Sequence, residues 1–310
     1  MFDVALSILD RLKSGEILVG DGAIGTMLLA DGLLPGTCLE KLNLEEPERL
    51  EKLTRSYLDA GAEIVLTNTF GGSPLRLALY GLAEQVEEIN ANAVRAARTA
   101  VGDRAYVCGS CGPSGRLLQP HGDTSPQVVL ESFERQMAAL VGAGAEIICV
   151  ETMTDLTEAA LAIEAARQVS PTIPVFASMT FDPTPRGFFT IMGVSIKQAA
   201  LGLARAGADV VGSNCGNGIA EMVRIAAEFR DNTDLPLLIR PNAGPPRFVD
   251  GQPVYDDTPT VMEGGFRGLL ELGVQIIGGC CGTTPGHISA LHRTVDRFTQ
   301  ERRPSPHPKA

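Results

Sequence analysis

Ala143-Gly-Ala-Glu-Ile-Ile-Cys-Val-Glu-Thr152 decides the fold, because the chain carries the same phrase four times. The others are Ala60-Gly-Ala-Glu-Ile-Val-Leu-Thr-Asn-Thr69, Ala206-Gly-Ala-Asp-Val-Val-Gly-Ser-Asn-Cys215 and Leu272-Gly-Val-Gln-Ile-Ile-Gly-Gly-Cys-Cys281. Each reads as a helix end halted by glycine, a short apolar strand, then polar or sulfur residues. The intervals between echoes are too long for one strand–helix unit and right for two. Tyr106–Gly109, Val175–Met179 and Leu237–Arg240 supply the intervening strands, and Ile17–Gly20 precedes the first echo. Helical stripes lie between them: Leu50, Leu53 and Tyr57 behind Pro47; Val86, Ile89, Ala93 and Val94; Leu130, Phe133, Met137 and Leu140; Met222, Ile225 and Phe229; Ile288, Leu291 and Val295. Buried strands alternating with helices predict a (β/α)₈ TIM barrel as one domain over residues 1–300, with a disordered tail over 301–310. A doubly wound sheet is the alternative, since periodicity does not show closure.

A barrel places its chemistry where strands end, at the C-terminal face. Equivalent offsets in the four echoes bring Asn68, Glu151, Asn214 and Cys280 to one height, with Thr69, Thr152, Cys215 and Cys281 next to them. The other strands end in Asp21-Gly-Ala-Ile-Gly-Thr26, Gly109-Ser-Cys-Gly-Pro-Ser-Gly115, Thr180-Phe-Asp182 and Pro241-Asn-Ala-Gly-Pro-Pro246. Polar and glycine-rich ends on every strand are hard to explain as packing.

Composition narrows the partners. The 310 residues are 44% hydrophobic and 20% charged, with 26 Lys plus Arg against 37 Asp plus Glu and a net charge of -11. Such a balance argues against nucleic acid and against an anionic membrane surface. There is no basic region ahead of an apolar one at the N-terminus, and no apolar run long enough to span a bilayer. A cytoplasmic location is expected, where the 7 cysteines stay reduced.

Cys215, Cys280 and Cys281 should therefore converge as thiolates. Three protein ligands with one open position are the mark of a catalytic zinc site. The sulfur-rich shell suits thiolate chemistry: a substrate thiol could bind, lose its proton and remain nucleophilic, although a free thiol has a pKa of ~8.5. Cys38 and Cys149 read as ordinary core residues. Cys108-Gly-Ser-Cys111 is a C-x-x-C, but Gly112-Pro113 follows where a redox pair opens a helix. His121, His287, His292 and His307 do not cluster, and His287 and His292 fit a surface helix.

Gly20-Asp-Gly-Ala-Ile-Gly25 matches G-x-G-x-x-G after a strand, but no second strand ending in an acid follows at dinucleotide spacing. Its glycines are expected to bring backbone N–H groups close to an anion such as a carboxylate. Asp21 and Glu151 have the charge to hold an ammonium group.

These residues resemble the homocysteine S-methyltransferase family, which includes the homocysteine-binding module of cobalamin-dependent methionine synthase and betaine–homocysteine methyltransferase. The phrases that carry the resemblance are Asp21-Gly-Ala-Ile-Gly-Thr, Thr67-Asn-Thr-Phe, Gly112-Pro-Ser-Gly, Glu151-Thr, Gly212-Ser-Asn-Cys215, Arg240-Pro-Asn-Ala-Gly244 and Gly278-Gly-Cys-Cys-Gly-Thr-Thr-Pro285. The resemblance implies a zinc-dependent methyltransferase that converts homocysteine to methionine, with Cys215, Cys280 and Cys281 as ligands. It implies that Asp21 and Glu151 hold the substrate ammonium, with the backbone of Gly22 and Ala23 near its carboxylate. Asn242 would lie at the zinc and fill the open position when no thiol is bound; Asn68 joins the substrate-binding set. The sequence lacks a D-x-H-x-x-G cobalamin motif, so a methylcorrinoid donor would arrive on a separate protein. S-methylmethionine or betaine as donor, another acceptor, or a noncatalytic zinc scaffold that docks a corrinoid protein are the alternatives. The sequence leaves the oligomeric state open. The apolar run Phe188-Phe-Thr-Ile-Met192 after the fifth strand is expected to be an exposed docking rim.

Overall fold

A computed structural model describes residues 7–249 and 252–302. Its strands are β1 (Leu18–Val19), β2 (Ile64–Leu66), β3 (Tyr106–Cys111), β4 (Ile147–Met153), β5 (Val175–Met179), β6 (Val210–Asn214), β7 (Leu237–Arg240) and β8 (Ile276–Ile277). They form one 8-stranded parallel sheet in which each strand pairs with its neighbours in sequence and β8 returns to β1. The seam between β1 and β2 is closed by Glu63 N–H donating to the Val19 carbonyl at 2.7 Å and Asp21 N–H to that of Ile64 at 3.0 Å. Closure distinguishes the (β/α)₈ barrel from an open doubly wound sheet.

Alternation along the strands builds two cores. Leu18, Ile64, Leu66, Cys108, Ile147, Cys149, Phe176, Val210, Leu238 and Ile276 fill the barrel interior, closed from below by Ile8 and Leu12 of the short helix Ile8–Lys13. Their neighbours Val19, Val65, Val107, Ile148, Val175, Val211, Ile239 and Ile277 face outward against the helices. Those helices are α1 (Pro47–Asp59), α2 (Val86–Val101), α3 (Pro126–Gly142), α4 (Leu156–Val169), α5 (Ile196–Ala206), α6 (Ile219–Arg230), α7 (Pro259–Glu271) and α8 (Pro285–Arg302). The predicted stripes are their buried faces, except that Leu53 is half-buried. The same alternation separates Cys108 from Cys111: one points inward, the other outward to Gln136 at 3.3 Å, and both are fully buried.

The echo has a physical basis at both ends. Gly61, Gly144, Gly207 and Gly273 all adopt positive φ, so each helix can reverse into its strand without the strain a Cβ would bring. The acid two residues later caps the neighbouring strand. Glu63 accepts from Val19 N–H at 3.3 Å and pairs with Arg11 at 2.8 Å. Asp209 accepts from Val175 N–H at 2.8 Å and pairs with Arg167 at 2.7 Å. Glu146 accepts from Val107 N–H at 2.8 Å and pairs with Arg98. These acids sit at the strand starts, the face that serves stability.

Two expectations change. Helix α8 runs through Glu301 and Arg302, and Glu301 pairs with Arg267 at 3.0 Å, so the first two residues of the expected tail belong to the barrel. The rest of that tail, with His307, lies outside the described residues. His287 is buried, not on a surface: its Nδ1 meets Thr284 and its Nε2 lies 2.8 Å from the Asp257 carbonyl.

Candidate functional site

The strand ends meet at one mouth. There the sulfurs of Cys215, Cys280 and Cys281 all lie within 4.8 Å of one another, with Cys215 and Cys281 at 3.8 Å. Sequence separation is bridged by main-chain bonds. Cys215 N–H donates to the Arg240 carbonyl at 3.1 Å, Cys280 N–H to that of Pro241 at 2.8 Å, and Ala243 N–H to that of Cys281 at 2.9 Å. Thus the end of β7 lies between the two cysteine turns and sets their spacing. Cys215 takes φ 61°, a left-handed conformation that a non-glycine residue adopts only when its surroundings enforce it. Left to themselves the thiols hold their protons. Cys280 is raised by its bond with Cys215, the bond to Cys281 opposes, and burial adds to the rise. A cation that displaces those protons turns the cluster into three sulfur ligands.

Two observations fit a metal here. The donor set is three half-buried sulfurs in one cluster. Beside it, Asn242 is 2% exposed and its Oδ1 is among the buried polar atoms that lack a hydrogen-bond partner within the described residues. Such an orphaned acceptor calls for a ligand. The residues on either side of Asn242 hold the backbones of Cys280 and Cys281.

The second part of the mouth is a buried ion triad. Arg240, only 5% exposed, donates to the Gly279 carbonyl at 3.0 Å and to Asp21 Oδ1 at 2.7 Å, and its Nη1 lies 3.6 Å from Glu151 Oε2. Asp21 Oδ2 also accepts Leu66 N–H at 2.8 Å, and Glu151 Oε1 accepts the Ser110 hydroxyl. Burial pushes the Asp21 carboxyl up to about 6, with Arg240 and the Leu66 N–H working against it. For Arg240 burial opposes the charge, but Asp21 and Glu151 more than offset it and hold the guanidinium protonated. Two carboxylates against one guanidinium leave the triad with one net negative charge, one positive charge short of neutral.

The mouth gathers most of the expected residues and adds some. Gly22 makes room for Tyr57: a Cβ there would lie 2.7 Å from the ring, and the Tyr57 hydroxyl donates to the Ala23 carbonyl at 2.7 Å. The Ala23 N–H is engaged by Thr283 Oγ1 at 3.2 Å, so a carboxylate reaching it competes with that hydroxyl. Asn68 turns aside, its amide donating to the Leu39 carbonyl at 2.7 Å and to Asn43 Oδ1 at 3.1 Å. Arg240, Tyr57, Thr283 and Ser110 join the site without being singled out by their place in the sequence. Two left a trace: an arginine closing the apolar run Leu237-Leu-Ile-Arg240, and a tyrosine in an apolar stripe, whose hydroxyl needs a partner.

The run after β5 does not form one exposed patch. Phe188 folds inward, 6% exposed, with Arg224 over its ring; Ile191 at 79% and Met192 at 37% remain outside. The residues 182–189 form a short hairpin, and its pairing turns alternate side chains to opposite sides.

The fold and family of the chain are shared with known proteins. Residues 18–295 match the homocysteine S-methyltransferase family. Methionine synthase of Mycobacterium tuberculosis (strain ATCC 25618 / H37Rv) is 33% identical over 314 residues, covering 96% of this chain and 26% of that protein. Methionine synthase of Mycobacterium leprae (strain TN) is 33% identical over 300 residues, covering 91% of this chain and 24% of that protein. The chain thus spans about a quarter of the length of these relatives. Among solved structures, the metallated homocysteine methyltransferase MmuM from Escherichia coli superposes with a TM-score of 0.76 at 24% identity, covering 92% of this chain and 98% of that one. The carboxyl transferase domain of Rhizobium etli pyruvate carboxylase shares the fold at a TM-score of 0.51 and 13% identity, covering 92% of this chain and 47% of that one. The chain belongs to the homocysteine S-methyltransferase family.

Proposed function

We propose that this member of the family transfers a methyl group to the thiol of homocysteine, giving methionine, with zinc held by Cys215, Cys280 and Cys281. The observation that carries the reading is the thiol cluster beside a buried triad with one unbalanced negative charge. Bound there, zinc would supply substrate thiolate at neutral pH.

The chain's own groups do the rest. The substrate ammonium completes the charge of Asp21, Glu151 and Arg240 and is held in line with the sulfur cluster; Gly22 and Ala23 frame the carboxylate. Asn242, whose buried Oδ1 has no partner among the described residues, would fill the open position until a thiol takes it. In the transfer, a sulfur lone pair forms the new S–C bond, and the electron pair of the broken bond leaves with the donor. Positioning and thiolate supply are the catalytic contributions.

A methylcorrinoid on a separate protein is our donor. Ile191 and Met192 after β5 and Phe248, 72% exposed, in the hairpin after β7 put apolar side chains on loops at the mouth side. A bulky corrinoid stays outside a barrel, so its carrier presses on that rim. The reading places the protein in the cytoplasm; no helix of the described residues is long and apolar enough to cross a membrane. Purified protein should be offered homocysteine with methylcobalamin, S-methylmethionine or betaine in turn. Methionine is expected from methylcobalamin. Product from S-methylmethionine or betaine alone overturns the donor, and zinc uptake without product from any donor leaves a scaffold.

The ammonium assignment has a pH signature. The Asp21 pKa is raised from its ordinary value to about 6. Its contribution to stability is therefore fully present below the ordinary carboxylate range and lost as pH rises through about 6. Ligand binding runs the other way, because an ammonium needs the ionised carboxylate. Methionine, which has no thiol to titrate, should bind about tenfold more weakly at pH 5 than at pH 7. A flat calorimetric profile across that window would remove Asp21 from the ammonium site.

A further inference from the structure

Asn214 is fully buried at the end of β6, and its side chain uses every group it has. Its Oδ1 accepts Thr152 N–H at 2.8 Å and the Ser178 hydroxyl at 2.7 Å. Its Nδ2 donates to Thr152 Oγ1 at 2.7 Å and points to Cys280 Sγ at 3.9 Å. The two residues it governs most directly are both strained: Thr152 at φ 59° and Cys215, its own neighbour, at φ 61°. A β-branched residue in that region is a genuine outlier, and such strain persists only where surrounding bonds enforce it. Thr152 follows Glu151 of the ion triad, and Cys280 belongs to the thiol cluster.

We propose that Asn214 is a positioning residue that locks the amino-acid side of the mouth to the metal side. One amide holds the left-handed turn that aims Glu151 and, through its N–H, orients the sulfur of Cys280. A hydrogen bond donated to a ligand sulfur also fixes that ligand's direction, as outer-shell partners of metal sites do. The inference rests on the metal reading above for its Cys280 half and on the Glu151 assignment for the other.

The test uses the full chain. Asn214→Ala should weaken zinc, read by competition with a chromophoric chelator, by ~10–100-fold. It should also shift the sulfur-to-metal charge-transfer bands of the cobalt(II)-loaded protein and weaken methionine binding to metal-free protein severalfold. Adding Thr152→Gly should restore methionine binding, since glycine takes the left-handed turn without strain, while leaving zinc weak. Zinc affinity within twofold of the parent overturns the proposal, as does a double variant that still fails to bind methionine. Should Asn214→Ala not fold, Ser178→Ala frees the amide to turn while keeping it in place, and the same readouts apply with a severalfold loss expected. If the parent chain itself takes up no zinc, the metal reading fails, and the methionine arm alone decides whether Asn214 holds the Glu151 turn.

Discussion

Arg240→Met is expected to destabilise the fold by about 3–5 kcal/mol, because it leaves Asp21 and Glu151 buried without their cation. Each carboxylate keeps one hydrogen-bond donor, from Leu66 and from Ser110, which does not replace a charge. The Gly279 carbonyl, which now accepts from Arg240 Nε at 3.0 Å, would lose that bond beside Cys280. The deficit has a direction in pH. Without the guanidinium the Asp21 pKa rises further, so protonation relieves the repulsion and the gap to the parent should narrow as pH falls from 8 to 5. Arg240→Lys should recover part of the stability, since it restores charge without the fork that reaches Asp21 and Gly279 together. Urea unfolding at the two pH values measures all three expectations. A loss below about 1 kcal/mol would mean that water reaches the triad and that the ion pair contributes little.

Cys281→Ala is expected to abolish stoichiometric metal and turnover while the barrel stays folded. A zinc site with four ligands contributes ~10–16 kcal/mol, so one sulfur is worth on the order of 3 kcal/mol, a hundredfold or more in affinity. The fold has little at stake: Cys281 is half-buried at the mouth and lies outside the hydrophobic cores of barrel and helices. Metal analysis and a thermal melt on the same sample separate the two effects. Full zinc in the variant would remove Cys281 from the ligand set. A collapse of the melt with the metal would give the cluster a structural role.

The candidate site was legible in proportion to how much of it is written in residue type. Adjacent cysteines in register with a third are rare enough to announce themselves, and Cys215, Cys280 and Cys281 converge as the echoes require. Asp21 and Glu151 were legible as acids at strand ends, but not the guanidinium between them. Arg240 lies at the end of a strand that pairs with neither β1 nor β4, and only barrel closure carries it across to both acids. Asn68 occupies the register of Glu151 in its echo, yet its amide turns to Leu39 and Asn43, because the segment after β1 packs against it. Phe188 looked like a rim residue until the hairpin turned it inward.

The sequence by itself determined the alternation of strand and helix. Apolar period and glycine position are local properties: Gly61, Gly144, Gly207 and Gly273 each mark a helix end whatever the rest of the chain does. It likewise determined which residue types would stand at the strand ends. Tertiary structure alone decided that β1 and β2 meet, that Arg240 neutralises part of a two-carboxylate pocket, and that Asn214 joins Thr152 to Cys280. Those contacts join residues far apart in the chain through side-chain direction and charge, and neither quantity leaves a period in a sequence.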